Sequence, residues 1–317
     1  MKHAIMIVAH KNKEQLVRLA RSFSPYAFDV FIHIDKKAKF TNAEMNEIKQ
    51  CSENVYVLDK RISGVLDTWS LVEIAIELMM AAKGIEQELG VKYSYFALLS
   101  GQDYPIKSSE YIESFLRANY PKPLIDCTPY AKGNWVYKKF NSVGFHKVSS
   151  HINARIGKGM LRRVIKLPFF ISAKLFSVYK KTRNKIKSPY NYDLYGGSAW
   201  WILPDKVIDF IFSELENNYN EIKKYKSTLT PEETFFQIMT MASPLSDMVD
   251  VNDPRERSQN CMTYAHFTGA GKPFMGHPYI LVKEDFNMIK ELPHLIARKF
   301  DTNVDNEILD LIDLNNR

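Results

Sequence analysis

The sequence predicts an α/β fold with a mainly parallel central sheet, helices on both faces of that sheet and a less regular second half. Apolar runs at 4–9, 30–34, 55–58 and 93–99 have the length of strands, and stretches with helical spacing of apolar residues separate them. Strand–helix repetition of this kind is typical of parallel sheets that are covered on both faces. Hydrophobic residues make up 45 % of the 317 residues, which is enough for a sizeable core.

The helices follow from the spacing of apolar residues between and after these strands. Leu16 and Leu19 mark the first helix, and Leu71 and Leu78 lie on a later one. In the second half we expect a strand at 196–203, a helix at 204–217, a helix that starts at Thr230 and a last helix at 304–314. We find no repeat and no low-complexity linker, so we expect one domain over 1–317 with halves at 1–125 and 126–317.

The cysteines and the hydropathy predict the compartment. Cys51, Cys127 and Cys261 are odd in number and lack metal-ligand spacing, as expected in a reduced, cytoplasmic setting. No stretch approaches the roughly 18 uncharged apolar residues of a transmembrane helix, so none is expected. The opening segment is too short for a signal peptide, and we interpret it as the first strand.

A basic segment at 132–187 carries the positive charge of the chain. The formal net charge is +7. Of the 43 Lys and Arg residues, 15 lie in this segment, and no acidic residue occurs between Asp126 and Asp193. The rest of the chain therefore has 28 basic and 36 acidic residues. At 159–171 cations alternate with bulky apolar side chains, as in elements that lie on anionic membranes. A solvated helix face over ordinary core explains this pattern equally well. No nucleic-acid-binding motif accompanies the charge.

Two polar turns mark the edge where a ligand should bind. Ser100-Gly101-Gln102-Asp103 follows the apolar run at 93–99, and Asp35 follows the run at 30–34. Ligands of open α/β sheets bind beyond the carboxyl ends of the strands, so both carboxylates should face a cleft. Asp35 can accept hydrogen bonds there, and the lysines that follow it can face phosphate, although a surface turn with a satisfied Asp would look the same. Asp103 stands alone, whereas a divalent metal usually needs more than one carboxylate.

The segment Pro231-Glu232-Glu233 places two acids at the start of a predicted helix. One of them is a candidate general base. The segment also fits a capping box, with Thr230 at N-cap, Pro231 at N1 and Glu233 at N3, while Glu232 interacts favourably with the helix dipole. Both interpretations stay open on spacing alone.

Further candidates are cations near the end of the chain and a set of aromatic residues. Arg298 and Lys299 lie beside apolar residues before the last helix, and they can bind phosphate if that segment folds back to the cleft. The aromatic candidates for stacking on sugar rings are Trp200, Trp201, Tyr264 and His266. We expect one of the two tryptophans to pack inward.

Seven segments occur in a fixed order along most of the chain. They are Ile7-Val8-Ala9-His10-Lys11, His33-Ile34-Asp35, Thr68-Trp69-Ser70, the stretch from Leu99 to Lys107, Gly197-Ser198-Ala199-Trp200, Pro231-Glu232-Glu233 and Ala297-Arg298-Lys299-Phe300-Asp301. Together they resemble the core-2/I-branching β-1,6-N-acetylglucosaminyltransferase family, which also contains the peptide O-xylosyltransferases. The resemblance implies a glycosyltransferase-A fold, a UDP-sugar donor, inversion at the anomeric carbon, and neither a metal nor another cofactor.

The resemblance also implies roles for single residues. Glu233 occupies the position of the family's catalytic base, Asp35 that of a nucleoside contact, and Lys299 that of a cation that holds the diphosphate in place of a metal. The expected donor-binding set is Val8, His10, Asp35, Trp69, Asp103, Arg298 and Lys299, and the expected acceptor-binding set is Trp200, Tyr264 and His266. A second phosphate-binding cation is expected among Arg255, Arg257 and Lys272.

We therefore expect an inverting, metal-independent glycosyltransferase that moves a sugar, most simply GlcNAc, from a UDP-sugar to a hydroxyl of a glycan or lipid-linked saccharide. The half at 1–125 would bind the nucleotide sugar and the half at 126–317 the acceptor. The family's animal members are membrane-anchored and rich in disulfides, whereas this chain has three scattered cysteines and no expected membrane span. We therefore expect a bacterial-type cytoplasmic member that acts at the inner face of a membrane, on a lipid-linked or surface-polysaccharide acceptor. The alternatives are xylose transfer, non-catalytic binding of sugar nucleotides, and a module that binds anionic membranes or nucleic acid through 132–187.

Overall fold

The chain forms one central sheet, two smaller sheets and helices on both faces, as described by a computed structural model. The structure describes residues 1–131, 134–141, 160–186, 191–226, 228–253, 260–267 and 278–316. Its strands are β1 (Lys2–Ala9), β2 (Phe28–Ile34), β3 (Val55–Val57), β4 (Tyr93–Ser100), β5 (Asp103–Pro105), β6 (Thr128–Pro129), β7 (Tyr195–Gly196), β8 (Trp201–Pro204), β9 (Thr263–Ala265) and β10 (Ile296–Arg298). The predicted strands at 4–9, 30–34, 55–58 and 93–99 correspond to the first four.

The central sheet has the order β3-β2-β1-β4-β8. The first four strands in this order are parallel, and β8 runs antiparallel to β4 at one edge. Two smaller sheets, β5-β10-β9 and β6-β7, lie outside it. The predicted class, α/β with a mainly parallel sheet, is confirmed.

Helices cover both faces of this sheet. They are α1 (Lys13–Arg21), α2 (Asn42–Lys49), α3 (Trp69–Leu89), α4 (Ser109–Asn119), α5 (Trp135–Asn141), α6 (Met160–Ile186), α7 (Asp205–Asn217), α8 (Tyr219–Tyr225), α9 (Phe235–Ala242), α10 (Phe286–Lys290) and α11 (Glu307–Asn315). None of the helices in the described ranges combines the length and the apolar character that a membrane crossing needs.

The alternation of side chains along β1 produces two cores. Ile5 and Ile7 pack in one core with Leu16 of α1, whereas Met6 packs in the other with Leu78 of α3. Successive side chains of a strand point to opposite faces, so a strand that is apolar throughout must be covered on both sides. This requirement fixes the three-layer arrangement.

Three elements differ from the sequence prediction. The expected strand at 196–203 is broken into β7 and β8, because the chain at Gly197 passes against the backbone of Asp126. The expected helix at Thr230 begins as a single 3-10 turn, Pro231–Glu233, and α9 starts only afterwards. The last helix begins three residues later than predicted, at Glu307.

The predicted capping box at Thr230 is wrong. Thr230 has φ 51 and ψ 61, and its side chain makes no capping hydrogen bond. An N-cap residue has an extended backbone that aims its side chain at the first turn. The left-handed backbone of Thr230 removes that geometry, so Glu233 is not held in the reciprocal role.

We expect Gly197→Ala to destabilise the protein strongly. A Cβ at this position would lie 1.8 Å from the carbonyl oxygen of Asp126, so the backbone must move. Forced overpacking costs about 1–3 kcal/mol or more in the free energy of unfolding. Urea denaturation measures the loss.

Gly84→Ala is the matched control. Gly84 lies inside α3, and a Cβ added there would have no atom within 4 Å, so the new methyl group meets open space. The substitution should raise the free energy of unfolding by about 0.5–1 kcal/mol, since Ala is a better helix former. Equal effects of the two substitutions would contradict the close approach at Gly197.

Candidate functional site

The carboxyl ends of β1, β2 and β4 meet at one edge of the central sheet. The backbone N–H of Asp35 donates to the carbonyl oxygen of Ala9 at 2.8 Å, and the N–H of Gly101 donates to that of Val8 at 2.9 Å. The neighbouring strands β1, β2 and β4 therefore end at the same height along the central sheet. This is the edge at which open α/β sheets bind ligands.

Asp35 organises the loop that follows β3. Its Oδ1 accepts the backbone N–H of Lys37 at 2.7 Å, and its Oδ2 accepts that of Gly64 at 2.9 Å. Arg61 binds the same turn from the other side, with its guanidinium donating to the carbonyl oxygens of Asp35 and Ala38 at 2.8 Å. The turn is therefore held on both sides, and Asp35, which is 8 % exposed and has Lys37 Nζ 3.8 Å from its Oδ2, is committed largely to this turn.

Asp103, Arg298 and Trp200 form a buried stack. Asp103 is 0 % exposed, and its Oδ2 accepts the backbone N–H of Ser100 at 2.7 Å. Arg298 Nε lies 3.4 Å from Asp103 Oδ1, and its Cζ lies 4.2 Å above the Trp200 ring. Since Asp103 has no exposed surface and Arg298 only 6 %, neither offers a ligand a direct contact in this conformation. Asp103 was expected to bind the donor, whereas in this structure its carboxylate orders its own turn through the Ser100 N–H.

The same burial shifts the pKa of both partners. Burial raises the pKa of Asp103, and the nearby Arg298 opposes that rise. Burial lowers the pKa of Arg298, and Asp103 opposes that fall. Asp103 Oδ1 and Arg298 Nε and Nη1 have no hydrogen-bond partner in the part of the chain that the structure describes. The two groups thus depend on each other for charge compensation.

Lys299 stands at the end of β10 beside His10 of the β1 edge. Burial lowers the pKa of Lys299, and the charges of Arg298 and Lys11 add to this effect. Partial desolvation lowers the pKa of His10, as do Lys11 and Lys299, against the opposing charge of Asp35. Lys11 itself donates to Asp301 at 2.6 Å. His10 therefore senses the charges of both Asp35 and Lys299 across the strand ends.

The 3-10 turn Pro231–Glu233 holds two acids in different environments. Glu232 is buried, and its Oε1 accepts the backbone N–H of Asp67 at 2.9 Å. Burial raises the pKa of Glu232 to about 8, and the charge of Glu233 adds to the rise. Glu233 is only half-buried. The two neighbouring carboxyls are thus set apart by their environments, and Glu232 is protonated at neutral pH.

Backbone contacts fix the position of Glu233. Gly197 donates its N–H to the Glu233 carbonyl oxygen at 2.9 Å. On the other side, the Trp69 ring lies 5.1 Å from that of Phe235 in an edge-on contact. The turn is therefore held between the segment before β8 and the start of α3.

The aromatic candidates divide as predicted. Trp201 is 0 % exposed and packs in the core against Phe236, whereas Trp200 is half-buried. Tyr264 and His266 lie at β9, which pairs with β10 beside Arg298, and the Tyr264 hydroxyl and His266 Nδ1 are 2.8 Å apart. Both are half-buried. They lie on the Lys299 side of the cleft.

The structure thus brings the predicted residues into two groups at one edge. His10, Asp35 and Lys299 are electrostatic neighbours, and the loop between Asp35 and Trp69 connects them to the turn of Glu233. The candidates Arg255, Arg257 and Lys272 lie outside the described residues. Among the described residues, no three His, Cys, Asp or Glu side chains come together in a way that could hold a metal ion.

Sequence reasoning missed two contributors to the site. Arg61 and the buried role of Glu232 become visible only through contacts across more than 20 residues of chain. A groove of about 790 Å³ between α1, α2 and the start of α4 contains none of the predicted site residues. Its Arg18 and Lys13 are already paired with Asp313 and Glu47. This groove is therefore not the candidate site.

The fold and the cleft define an α/β protein with His10, Asp35 and Lys299 at the strand ends of the central sheet and a half-buried glutamate, Glu233, on a turn bonded to the loop after Asp35. The chain belongs to the Core-2/I-Branching enzyme family, which it matches over residues 4–290. The predicted family is confirmed.

Several known proteins are similar to this chain. Xylosyltransferase 2 of Rattus norvegicus is 24 % identical over 320 residues, which cover 98 % of this chain and 33 % of that protein. Xylosyltransferase sqv-6 of Caenorhabditis elegans is 22 % identical over 305 residues, which cover 93 % of this chain and 34 % of that protein. The chain thus spans about a third of the length of these curated relatives.

A solved structure of S. aureus TarS 1-349 in complex with UDP is similar over 44 % of this chain and 39 % of that one, with 12 % identity and a TM-score of 0.27. A likeness at this level bears on neither the fold nor the function of this chain.

We expect the stability of Glu232→Gln relative to the wild type to rise with pH. The folded-state pKa of Glu232, about 8, lies above its ordinary value of 4.5. Between these values the folded protein retains a proton that the unfolded chain releases, so the wild-type free energy of unfolding falls by up to about 1.4 kcal/mol per pH unit. Gln has no proton to lose and escapes this fall. Urea denaturation from about pH 5 to pH 8 measures the difference.

Glu88→Gln is the control, because Glu88 is exposed on α3. Its stability difference from the wild type should stay nearly constant with pH. A constant difference for Glu232→Gln as well would contradict the assignment of a protonated Glu232.

Proposed function

We propose that this protein is a glycosyltransferase that moves a sugar from a UDP-sugar to a hydroxyl of a glycan or lipid-linked saccharide. The family and the relatives named xylosyltransferases support the class of reaction. The observation that supports the proposal is that His10 at the end of β1 senses the charges of both Asp35 and Lys299, while the loop after Asp35 is bonded through the Asp67 N–H to Glu232, the neighbour of Glu233. A donor bound there would have its nucleoside toward Asp35 and its diphosphate toward Lys299.

Lys299 supplies the charge at the diphosphate end. It is half-buried at the end of β10, and burial already lowers its pKa. A fixed cation in a partly desolvated cleft stabilises the charge that develops on departing UDP more strongly than it would in water. Arg298 contacts Asp103 and Trp200, and these contacts help to fix the strand β10 that positions Lys299.

Glu233 is the proposed general base. In a single in-line displacement, the acceptor oxygen forms a bond to the anomeric carbon and gives its proton to the Glu233 carboxylate. The bond from that carbon to the UDP oxygen breaks, and its electron pair leaves with UDP toward Lys299. Displacement from the opposite face inverts the anomeric configuration. The protonated Glu232 leaves Glu233 as the charged member of the turn.

We further propose that the reaction needs no divalent metal. Asp103, the carboxylate at the end of β4, is compensated by Arg298 and the Ser100 N–H. A metal at this point would compete with an adjacent guanidinium. Lys299 takes the electrostatic role instead.

The donor sugar is proposed to be GlcNAc, with xylose as the second candidate because the relatives named above are xylosyltransferases. A thermal-shift series with UDP-GlcNAc, UDP-xylose, UDP-galactose and UDP-glucose distinguishes them. The sugar that raises the melting temperature above the effect of UDP alone is the donor. No shift with any UDP compound would contradict the proposed function.

We expect Glu233→Gln to keep the fold and the affinity for UDP but to lose turnover by about 10²–10⁴-fold, the usual contribution of a positioned general base. Calorimetry with UDP and an assay of UDP release measure the two properties. Glu216→Gln, at an exposed position of α7, is the control and should retain full activity. Wild-type turnover in Glu233→Gln would rule out this base.

We expect transferase activity to be unchanged by EDTA. We expect Lys299→Met to lower turnover by about 10²–10³-fold, which is the usual effect of removing a preorganised group that stabilises charge in the transition state. Lys206→Met, an exposed lysine on α7, is the control. Loss of activity in EDTA with recovery in Mn²⁺ would replace this mechanism by a metal-dependent one.

A further inference from the structure

Helix α6 presents an apolar stripe to solvent. Its members recur every three or four residues, and each is between 49 % and 82 % exposed: Met160, Val164, Leu167, Ile171 and Leu175. This spacing places them on one face of the helix. None of the described side chains of α6 is buried. The described part of the protein therefore leaves the stripe uncovered.

The stripe faces away from the body of the molecule. The half-buried positions Ile165, Lys166, Ala173 and Ser177 lie on the other side of the helix at 3.6 residues per turn. Among the other helices, α6 contacts α5. The stripe is thus opposite the half-buried positions, and Phe169 and Phe176, which are 41 % and 55 % exposed, add apolar surface on the remaining faces.

Cations flank this stripe, and acidic residues are absent around it. Arg163 and Lys174 lie beside the apolar face, and no Asp or Glu occurs between Asp126 and Asp193. A second copy of the same helix would bring like charges together, and nucleic acid offers no apolar surface for the stripe. A bilayer with anionic headgroups complements both the charge and the apolar residues.

We propose that α6 is an interfacial helix that docks this protein on membranes containing anionic phospholipids. Its stripe enters the boundary between headgroups and acyl chains, and its flanking cations meet lipid phosphates. From Met160 to Leu175 the stripe extends over about 22 Å, so the helix lies along the membrane plane.

The docking helix is connected to the candidate site. It lies in the chain between β6 and β7, which pair with each other at Thr128 and Gly196. The next residue, Gly197, donates to the carbonyl oxygen of Glu233. That the acceptor is presented at this surface rests on the proposed function, whereas docking itself does not.

Flotation of the full-length protein with vesicles tests the proposal without any activity assay. Vesicles of phosphatidylcholine alone are compared with vesicles of equal parts phosphatidylcholine and phosphatidylglycerol. We expect binding to the anionic vesicles only. The double variant Arg163→Gln/Lys174→Gln should weaken it by roughly 30-fold, since each cation near the surface contributes about 1 kcal/mol.

The double variant Leu167→Gln/Leu175→Gln keeps the charge and removes apolar area, and should weaken binding by about tenfold or more. Ser172→Gln, at an exposed position of the same helix off the stripe, is the control and should bind as the wild type does. Circular dichroism and the thermal shift with UDP check that each variant is folded.

The first three results that would overturn the proposal concern vesicle binding and self-association. They are absence of wild-type binding to anionic vesicles, binding that neither double variant weakens, and a dimer in sedimentation analysis that Leu167→Gln/Leu175→Gln dissociates. Tighter binding to nucleic acid than to the anionic vesicles would also overturn it. Because none of these measurements uses a sugar nucleotide as substrate, failure here and failure of the proposed transferase activity are separate outcomes.

Discussion

The buried contact between Asp103 and Arg298 is the constraint on which the site depends. It joins β5, which follows the central sheet directly, to β10 near the end of the chain, and it stands in register in that antiparallel pair. Removing one partner would leave an uncompensated charge in the interior, at a cost of about 3–5 kcal/mol. The contact therefore fixes where β10 ends. Lys299, the next residue, is placed at the cleft while Arg298 stays behind it.

The turn Pro231–Glu233 uses desolvation to separate two adjacent acids. Glu232 is buried and remains protonated near neutral pH, and its Oε1 holds the backbone of Asp67. A neutral Glu232 adds no negative charge beside Glu233, the half-buried carboxyl of the turn. The buried acid thus both supports the turn and limits its charge.

The sequence predicted the central sheet well and the details of the second half less well. β1, β2 and β4 each contain a mainly apolar run, and such runs predict a strand without reference to the rest of the chain. The break at Gly197 was not predictable, because it arises from the backbone of Asp126, a residue distant in sequence. Thr230 is a residue type that favours helix caps but has a left-handed backbone. The residues of the site were found as motifs, whereas the neutral state of Glu232 and the burial of Arg298 depend on packing that no local pattern contains.

The charge of the molecule is distributed unevenly along the chain. Outside 132–187 acidic residues outnumber basic ones, 36 to 28, while that segment carries 15 cations and no acid. An anionic surface would attract this segment and repel the remainder, so it would orient the protein as well as bind it. α6 is the described part of the segment with an apolar outer face. Because its chain neighbours β6 and β7 pair beside the turn of Glu233, the orienting element and the proposed base belong to the same half of the molecule. An acceptor held at a lipid surface would then approach the cleft through the half that carries Glu233, while the donor would occupy the strand ends around Asp35 in the other half.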